Sequence, residues 1–174
     1  MRNKYMAVME EKCGKARVSD VDASYKELCA VCDNVRGKPT DTAIAFLEEA
    51  VEGKKAVYFR THNTKMGHRR QLGGKKGRFP KKAARIVLGV VKAAFADAER
   101  KGLFNTYVFH IAANKKRMFP RTSAKGKPMM WKYETSFVES ILAEKTGEME
   151  LQDKAKEKAK EKKEEMKTLK AKKK

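Results

Sequence analysis

Residues 80–102 read PKKAARIVLGVVKAAFADAERKG, and this stretch decides the fold. Its opening proline has a backbone already set for a first helical turn. Its closing residue, Gly102, suits the left-handed stop of a helix. Between them Ala84, Val87, Leu88, Val91, Ala94, Phe95 and Ala98 recur at helical spacing. That spacing predicts one long amphipathic helix, ending near Lys101, as the spine of a core. Lys81, Arg85 and Lys92 fall on another face.

Toward the N-terminus, Ser24-Tyr25-Lys26-Glu27 fits a capping box, with Ser24 as N-cap and Glu27 at the third helical position. The helix it opens carries Leu28, Val31, Cys32 and Val35 and stops near Gly37 and Pro39. A second helix starts at Thr40 or Asp41, carries Ile44, Phe46, Leu47 and Val51, and ends at Gly53. The short link between the two predicts an αα-hairpin. Before them, residues 12–21 read as a connector and a short strand anchored by Val18 and Val21. Residues 56–60 form a brief extended piece. Residues 61–79 hold four glycines, scattered cations and no apolar period. They are expected to be a long loop with no means of packing on itself.

Past the central helix, residues 106–112 are rich in β-branched and aromatic side chains and predict a strand. Residues 129–142 predict a second, with Trp131, Tyr133, Phe137, Ile141 and Leu142. The basic segment 113–128 joins them, so the whole reads as one long hairpin. Arms of about 15 residues at ~3.3 Å each reach roughly 50 Å. An isolated hairpin of that length is marginal in water, so a partner is expected to hold it. Residues 153–174 carry 11 Lys against 5 acids and have almost no apolar face. They read as a solvated helix or a segment disordered until bound. The fold class expected is α+β: a small sheet packed against three helices, an extended β-hairpin and a lysine-rich C-terminal tail. The organisation expected is an N-terminal extension over 1–14, a globular domain over 15–152 and a charged tail over 153–174. Within the domain lie the basic loop 61–79 and the hairpin 103–142.

Charge points to the partner. The 174-residue chain has a formal net charge of +20. Residues 53–133 contain 22 Lys or Arg against two acids, Asp97 and Glu99, while the remainder balances 20 against 20. Like charges repel on compaction, so a block this biased calls for a partner that supplies anions. A nucleic-acid backbone is the obvious one. No run of 18 apolar residues is present, and the long helix has a core-like rather than a lipid-like apolar side. No membrane partner is expected. Residues 1–13 lack the apolar core of a secretory signal, and three cysteines do not pair evenly, which favours a reducing, cytosolic setting.

The basic block resolves into three devices. The first is the glycine-rich loop, with Arg60, His62, Lys65, His68, Arg69, Arg70, Lys75, Lys76 and Arg78. The second is the helix start, with Lys81, Lys82 and Arg85, where free N–H groups and cations favour phosphate. The third is the hairpin, with Lys115, Lys116, Arg117, Arg121, Lys125, Lys127 and Trp131. The loop is not a nucleotide P-loop, because no Gly-Lys-Ser or Gly-Lys-Thr follows at the needed spacing. Phe119 and Trp131 read equally as hairpin packing and as platforms for stacked bases, whereas Tyr133 reads as packing.

Catalytic and metal readings are weak. Cys29-x-x-Cys32 lies mid-helix rather than at a helix start, which predicts buried structural thiols. His62 and His68 read as contacts to bases or phosphates, and His110 as a packed strand residue. None of the three has a neighbouring carboxylate in sequence to orient it. Paired carboxylates for a metal-assisted nuclease are absent from the block. No cofactor, metal or catalytic residue is expected.

Several segments together resemble a known family. They are Lys15-Ala16-Arg17-Val18-Ser19, Val35-Arg36-Gly37-Lys38 and Ala43-Ile44-Ala45-Phe46-Leu47-Glu48. Closer still are residues 57–70, with Val57-Tyr58-Phe59-Arg60, His62-Asn63, Lys65 and Gly67-His68-Arg69-Arg70, and then Gly77-Arg78-Phe79-Pro80-Lys81-Lys82-Ala83-Ala84. Ala98-Glu99, Lys101-Gly102-Leu103, His110-Ile111-Ala112-Ala113, Lys115 and Pro120-Arg121 complete the set. Over residues 15–142 the chain resembles the universal large-ribosomal-subunit protein family numbered twenty-two in bacteria and seventeen in eukaryotes. The insertion before Pro80 points to its archaeal and eukaryotic type. The chain departs from the family at Thr122-Ser123-Ala124-Lys125-Gly126 and at Glu134-Thr135-Ser136.

The resemblance implies a non-catalytic, structural constituent of the cytoplasmic large ribosomal subunit. It implies contact with 23S-type ribosomal RNA and neighbouring ribosomal proteins, help with subunit assembly, and a hairpin along the nascent-peptide exit tunnel. The alternatives are another RNA-binding or RNA-chaperone protein, a DNA-architectural protein, and an RNA-modifying or RNA-cleaving enzyme.

Overall fold

A computed structural model describes Tyr5 and residues 12–145. Most of the N-terminal extension and all of the lysine-rich tail expected over 153–174 lie outside the described residues. The chain divides into two units, residues 1–144 and 145–174; the fold described is that of the first.

The elements run β1 (Gly14–Val21), α1 (Tyr25–Val35), α2 (Thr40–Glu52), β2 (Val57–Tyr58), β3 (His68–Arg69), β4 (Lys75–Arg78), α3 (Lys81–Arg100), β5 (Thr106–Thr122) and β6 (Pro128–Glu144). This is an α+β fold with three helices and two small antiparallel sheets. The main sheet has the order β1-β6-β5, with the hairpin return strand in the middle. The second has the order β2-β4-β3.

α3 is the spine. Ala84, Val87, Val91, Ala94 and Ala98 are buried as the spacing predicts. Ala83 and Val90 join them, while Leu88 and Phe95 are only half-buried at the edge of the core. The helix closes where glycine was expected. Gly102 has φ 72° and donates to the Glu99 carbonyl, and the next N–H, of Leu103, donates to Ala98 at 3.1 Å. Pro80 stands just outside the helix, its carbonyl accepting from Ala84.

α1 and α2 form the αα-hairpin, and their link does further work. Gly37 donates to the Val108 carbonyl and Val108 donates to Lys38, both at 2.9 Å, so the link seals part of the free edge of β5. Arg36 Nη2 and Cys29 Sγ donate to the Ile111 and Ala113 carbonyls farther along it. Ser24 has the extended backbone of an N-cap, but its hydroxyl makes no capping bond, so the capping box is not formed. Val18 is 43% exposed and does not anchor β1.

In β5 the buried positions switch parity. Thr106 and Val108 face inward, then Ile111 and Ala113. A bulge at Phe109, between the pairs Val108↔Leu142 and His110↔Ile141, causes the switch. A second bulge places Lys116 out of register between Lys115↔Ser136 and Arg117↔Thr135. The strands run straight through the basic segment: each arm has 17 residues and pairing continues to Thr122↔Pro128.

The stretch 61–79 corrects the sequence reading. It is not a loop unable to pack on itself. β3 pairs with β4 through a 3-10 turn over Arg70–Leu72 that Gly73 and Gly74, at φ 63° and 81°, close back onto the Arg70 and Arg69 carbonyls. Gln71 ties the segment to the body, accepting from Ala56 N–H and donating to the Lys54 carbonyl, both at 3.0 Å. Strands of two residues are too short to show a period, so the pattern could not reveal them.

Candidate nucleic-acid interface

Of the nineteen sequence-predicted contact residues, eighteen are exposed and Lys76 is half-buried. Their neighbours divide them into residues available to a partner and residues that also hold the fold.

In the basic loop, Arg69 has a structural task. Its Nε donates to the Gly77 carbonyl at 3.1 Å and its guanidinium lies over the Phe79 ring at 5.4 Å. The His68 ring bonds the Gly74 carbonyl, bracing the turn. Lys75 lies over Tyr58. Arg60, Lys65, Arg70, Lys76 and Arg78 project from the same small sheet and its turns. His62 and Lys65 hold left-handed backbone conformations, at φ 54° and 58°. Non-glycine residues sit there only when their surroundings impose it.

Three of the predicted contact cations meet carboxylates from outside the basic block. Lys82 pairs with Asp22 at 3.1 Å, Lys115 with Glu134 at 2.8 Å, and Lys116 with Asp20. Hydrogen bonding from the lysine is the first cause that lowers the Asp20 and Asp22 carboxyls below the ordinary aspartate range. Exposed pairs of this kind are weak, so they leave the lysines able to exchange partners. Lys81 and Arg85 flank Lys82 on the exposed face of the α3 start, without ion-pair partners among the described residues.

Tyr25, a residue the sequence reading passed over, joins the three devices. Its ring meets His62 edge-on at 6.3 Å and lies under the Lys115 ammonium at 5.9 Å. Tyr25 shares one cleft with Lys82 and Lys115, and another with Thr61, His62 and Arg36. The loop start, the helix start and the hairpin base thus converge on the first turn of α1. Only its position in the apparent capping box marked Tyr25 out.

The hairpin tip is separate. From Lys115 to Arg121 a strand rises about 20 Å. There the Arg121 guanidinium lies 4.6 Å from the Trp131 ring centre and 5.8 Å from that of Tyr133, which packs on Phe119 at 5.9 Å. Trp131 and Phe119 remain 56% and 43% exposed. They pack along the hairpin and still offer faces to a partner. Lys125, at φ 69°, and Lys127 border the turn. Arg117 projects beside Thr135, and Lys132 adds an exposed cation opposite Pro120 that the sequence reading left out.

Of the two cysteines read as buried thiols, Cys32 is buried, whereas Cys29 is half-buried with its thiol on the Ala113 carbonyl. Burial pushes the Cys32 thiol far above its ordinary range and raises Cys29 as well, the reverse of a reactive thiol. His110 is a correction. It does have a carboxylate neighbour: its Nε2 stands 3.4 Å from Oε1 of the fully buried Glu139 on the adjacent strand. The pair lies on the sheet face opposite the main core, where Arg17 stacks on Phe137 at 4.5 Å. It spans 29 positions of sequence, so only strand register brings it together. No helix of the described residues is long and apolar enough to cross a membrane.

A small α+β body with a basic hairpin arm and a surface rich in cations defines a structural class of protein rather than an enzyme. Residues 16–143 match the family model of ribosomal protein L22p/L17e. The chain belongs to that family, whose members are structural rather than enzymatic proteins. Among its relatives is the large ribosomal subunit protein uL22 of Methanopyrus kandleri, 39% identical over 144 residues, covering 78% of this chain and 89% of that protein. The same protein of Methanocaldococcus jannaschii is 37% identical over 145 residues, covering 79% and 91%. That of Archaeoglobus fulgidus is 39% identical over 115 residues, covering 64% and 74%.

Proposed function

We propose that this protein is a constituent of the cytoplasmic large ribosomal subunit that braces 23S-type ribosomal RNA and helps it fold. In this reading the loop, helix start and hairpin base grip RNA backbone around Tyr25. The hairpin tip inserts between RNA helices and contributes to the wall of the nascent-peptide exit tunnel.

The hairpin carries this reading. Its arms are 17 residues long, yet every residue from 115 to 128 is exposed. Such an arm has no core of its own, and its side chains are cations, prolines and stacked aromatics. Phosphate neutralisation and shape recognition suit that surface better than base readout. The uL22 relatives, named as large-subunit proteins, support the assignment.

The test is recovery of the tagged protein with large subunits through moderately high salt. Stoichiometric recovery is expected, and loss from the subunit peak would overturn the reading. With isolated large-subunit RNA, about ten phosphate contacts predict an affinity loss of roughly 10³–10⁵ between 50 and 200 mM salt. A flat salt response would count against backbone neutralisation.

A further inference from the structure

A cleft of about 290 Å³ opens at the end of α3 opposite its basic start. Its chemistry differs from the rest of the surface. Asp41, Glu99, Phe95 and Phe104 line it, and no Lys or Arg does.

Phe104 is 75% exposed although the chain around it is fixed. Leu103 before it is buried and its N–H bonds the Ala98 carbonyl. Asn105 after it takes a left-handed conformation, at φ 51°. Thr106 is buried, its hydroxyl bonded to that of Thr40 at 2.8 Å. The exposed ring is therefore held out by an ordered segment. A pre-organised apolar side chain loses little entropy on binding.

The carboxylates are equally distinctive. Of thirteen Asp and Glu among the described residues, eight pair with a Lys or Arg and a ninth, Glu139, faces His110. Two of the other four, Asp41 and Glu99, line this cleft. In a chain of net charge +20, cations to pair with are abundant. Asp41 is accounted for by the first turn of α2, where a helix favours an anion. Glu99 is not, because it stands in the last turn of α3, where the helix dipole disfavours it. Its neighbour Asp97 is used structurally, accepting from Lys15 N–H and pairing with Lys101.

We propose that this cleft is a protein-docking site for a basic-apolar segment of a neighbouring protein. An Arg or Lys of that segment faces Asp41 and Glu99, and an apolar side chain packs on Phe95 and Phe104. Nucleic acid is the wrong occupant, since two unpaired carboxylates repel phosphate. The volume falls just below the ~300–1,000 Å³ of small-molecule sites and suits one or two inserted side chains. The proposal does not depend on the RNA-binding reading.

The experiment is a backbone-amide NMR titration of the full chain with an amide-capped hexapeptide of alternating leucine and arginine. Shifts are expected at residues 41, 95, 99 and 103–106, saturating at about millimolar peptide or below. The Asp41→Asn/Glu99→Gln double variant is expected to weaken binding roughly fivefold, as two exposed charge contacts would. Phe104→Ser abolishes the shifts, and Glu27→Gln, an unpaired acid elsewhere, leaves them intact. The proposal is overturned by silence at the cleft or by an unchanged affinity in the double variant. It is also overturned if oligouridylate shifts these residues, if they shift with protein concentration, or if the double variant moves resonances of 153–174. Those last outcomes identify nucleic acid, a second copy or the chain's own tail as the occupant.

Discussion

The two halves of the β5–β6 hairpin share one ladder of strand pairs but differ in everything their side chains meet. At the base, Val108, Ile111, Val138, Ile141 and Leu142 are fully buried. They are flanked by β1 on one edge of β6 and sealed by the α1–α2 link at the edge of β5. Beyond Asn114 no residue of β5 is buried. The change falls at the Lys116 bulge, where Lys116 pairs with Asp20 and Lys115 with Glu134. The base folds because it removes apolar surface from water; the outer half satisfies its backbone in the ladder but gains almost nothing from burial. One strand pair is thus part core and part exposed arm.

The sharpest break of this comparison is a cavity in the base. Leu142→Ala is expected to cost about 2–5 kcal/mol, lowering the melting temperature by roughly 5–15 °C. Met130→Ala, at a fully exposed position of the arm, is expected to stay within about 0.5 kcal/mol in the same melt. Equal losses would mean that the arm is cooperatively packed.

Next comes Gly14→Ala, where β1 crosses α3. A Cβ there would overlap the Ala94 carbonyl oxygen and stand 2.7 Å from the Ala98 Cβ. A loss of about 1–3 kcal/mol is expected, read by urea denaturation at unchanged slope.

In the arm the expected effects move from stability to binding. Replacing Arg121, Lys125 and Lys127 together by alanine should leave melting unchanged and lower the slope of log affinity against log salt by about 2–3. Trp131→Ala should weaken RNA binding by about 1–3 kcal/mol if bases stack there, with little change in melting. A thermal loss without a binding loss would assign Trp131 to hairpin packing alone.

The smallest effect lies at the junction. Asp20 titrates below the ordinary aspartate range, chiefly because Lys116 hydrogen-bonds its carboxylate. The folded state therefore favours the ionised form. That contribution is present above the ordinary aspartate pKa and is lost as pH falls through the lowered value. Carboxylate NMR should show Asp20 returning to its ordinary range in Lys116→Met, with no change at neutral pH in the core resonances.

Legibility followed the length of each pattern. α3 was readable because seven apolar positions, Ala84 to Ala98, repeat over about four turns. The hairpin was readable because two apolar strands bracket a basic segment, although the pattern ended the first strand at Ala112 and β5 runs on to Thr122. The small sheet was not readable, since β2 and β3 have two residues each and their stability comes from Gln71, Arg69 and a diglycine turn. The capping box misled because Ser24 supplied the backbone conformation without the hydroxyl bond. The interface was legible as a list of cations, not as an arrangement.

Composition and local spacing alone determined that three helices and a long hairpin form, and that the charge gathers in one block that points to an anionic partner. These follow from charge balance and from periodicity, both properties of neighbouring residues. Tertiary structure alone decided that Tyr25 gathers the three basic devices, that His110 meets Glu139, and that Asp97 is tied down while Glu99 faces an apolar cleft. Each of those depends on strand register or helix crossing, which bring together residues that the sequence keeps far apart.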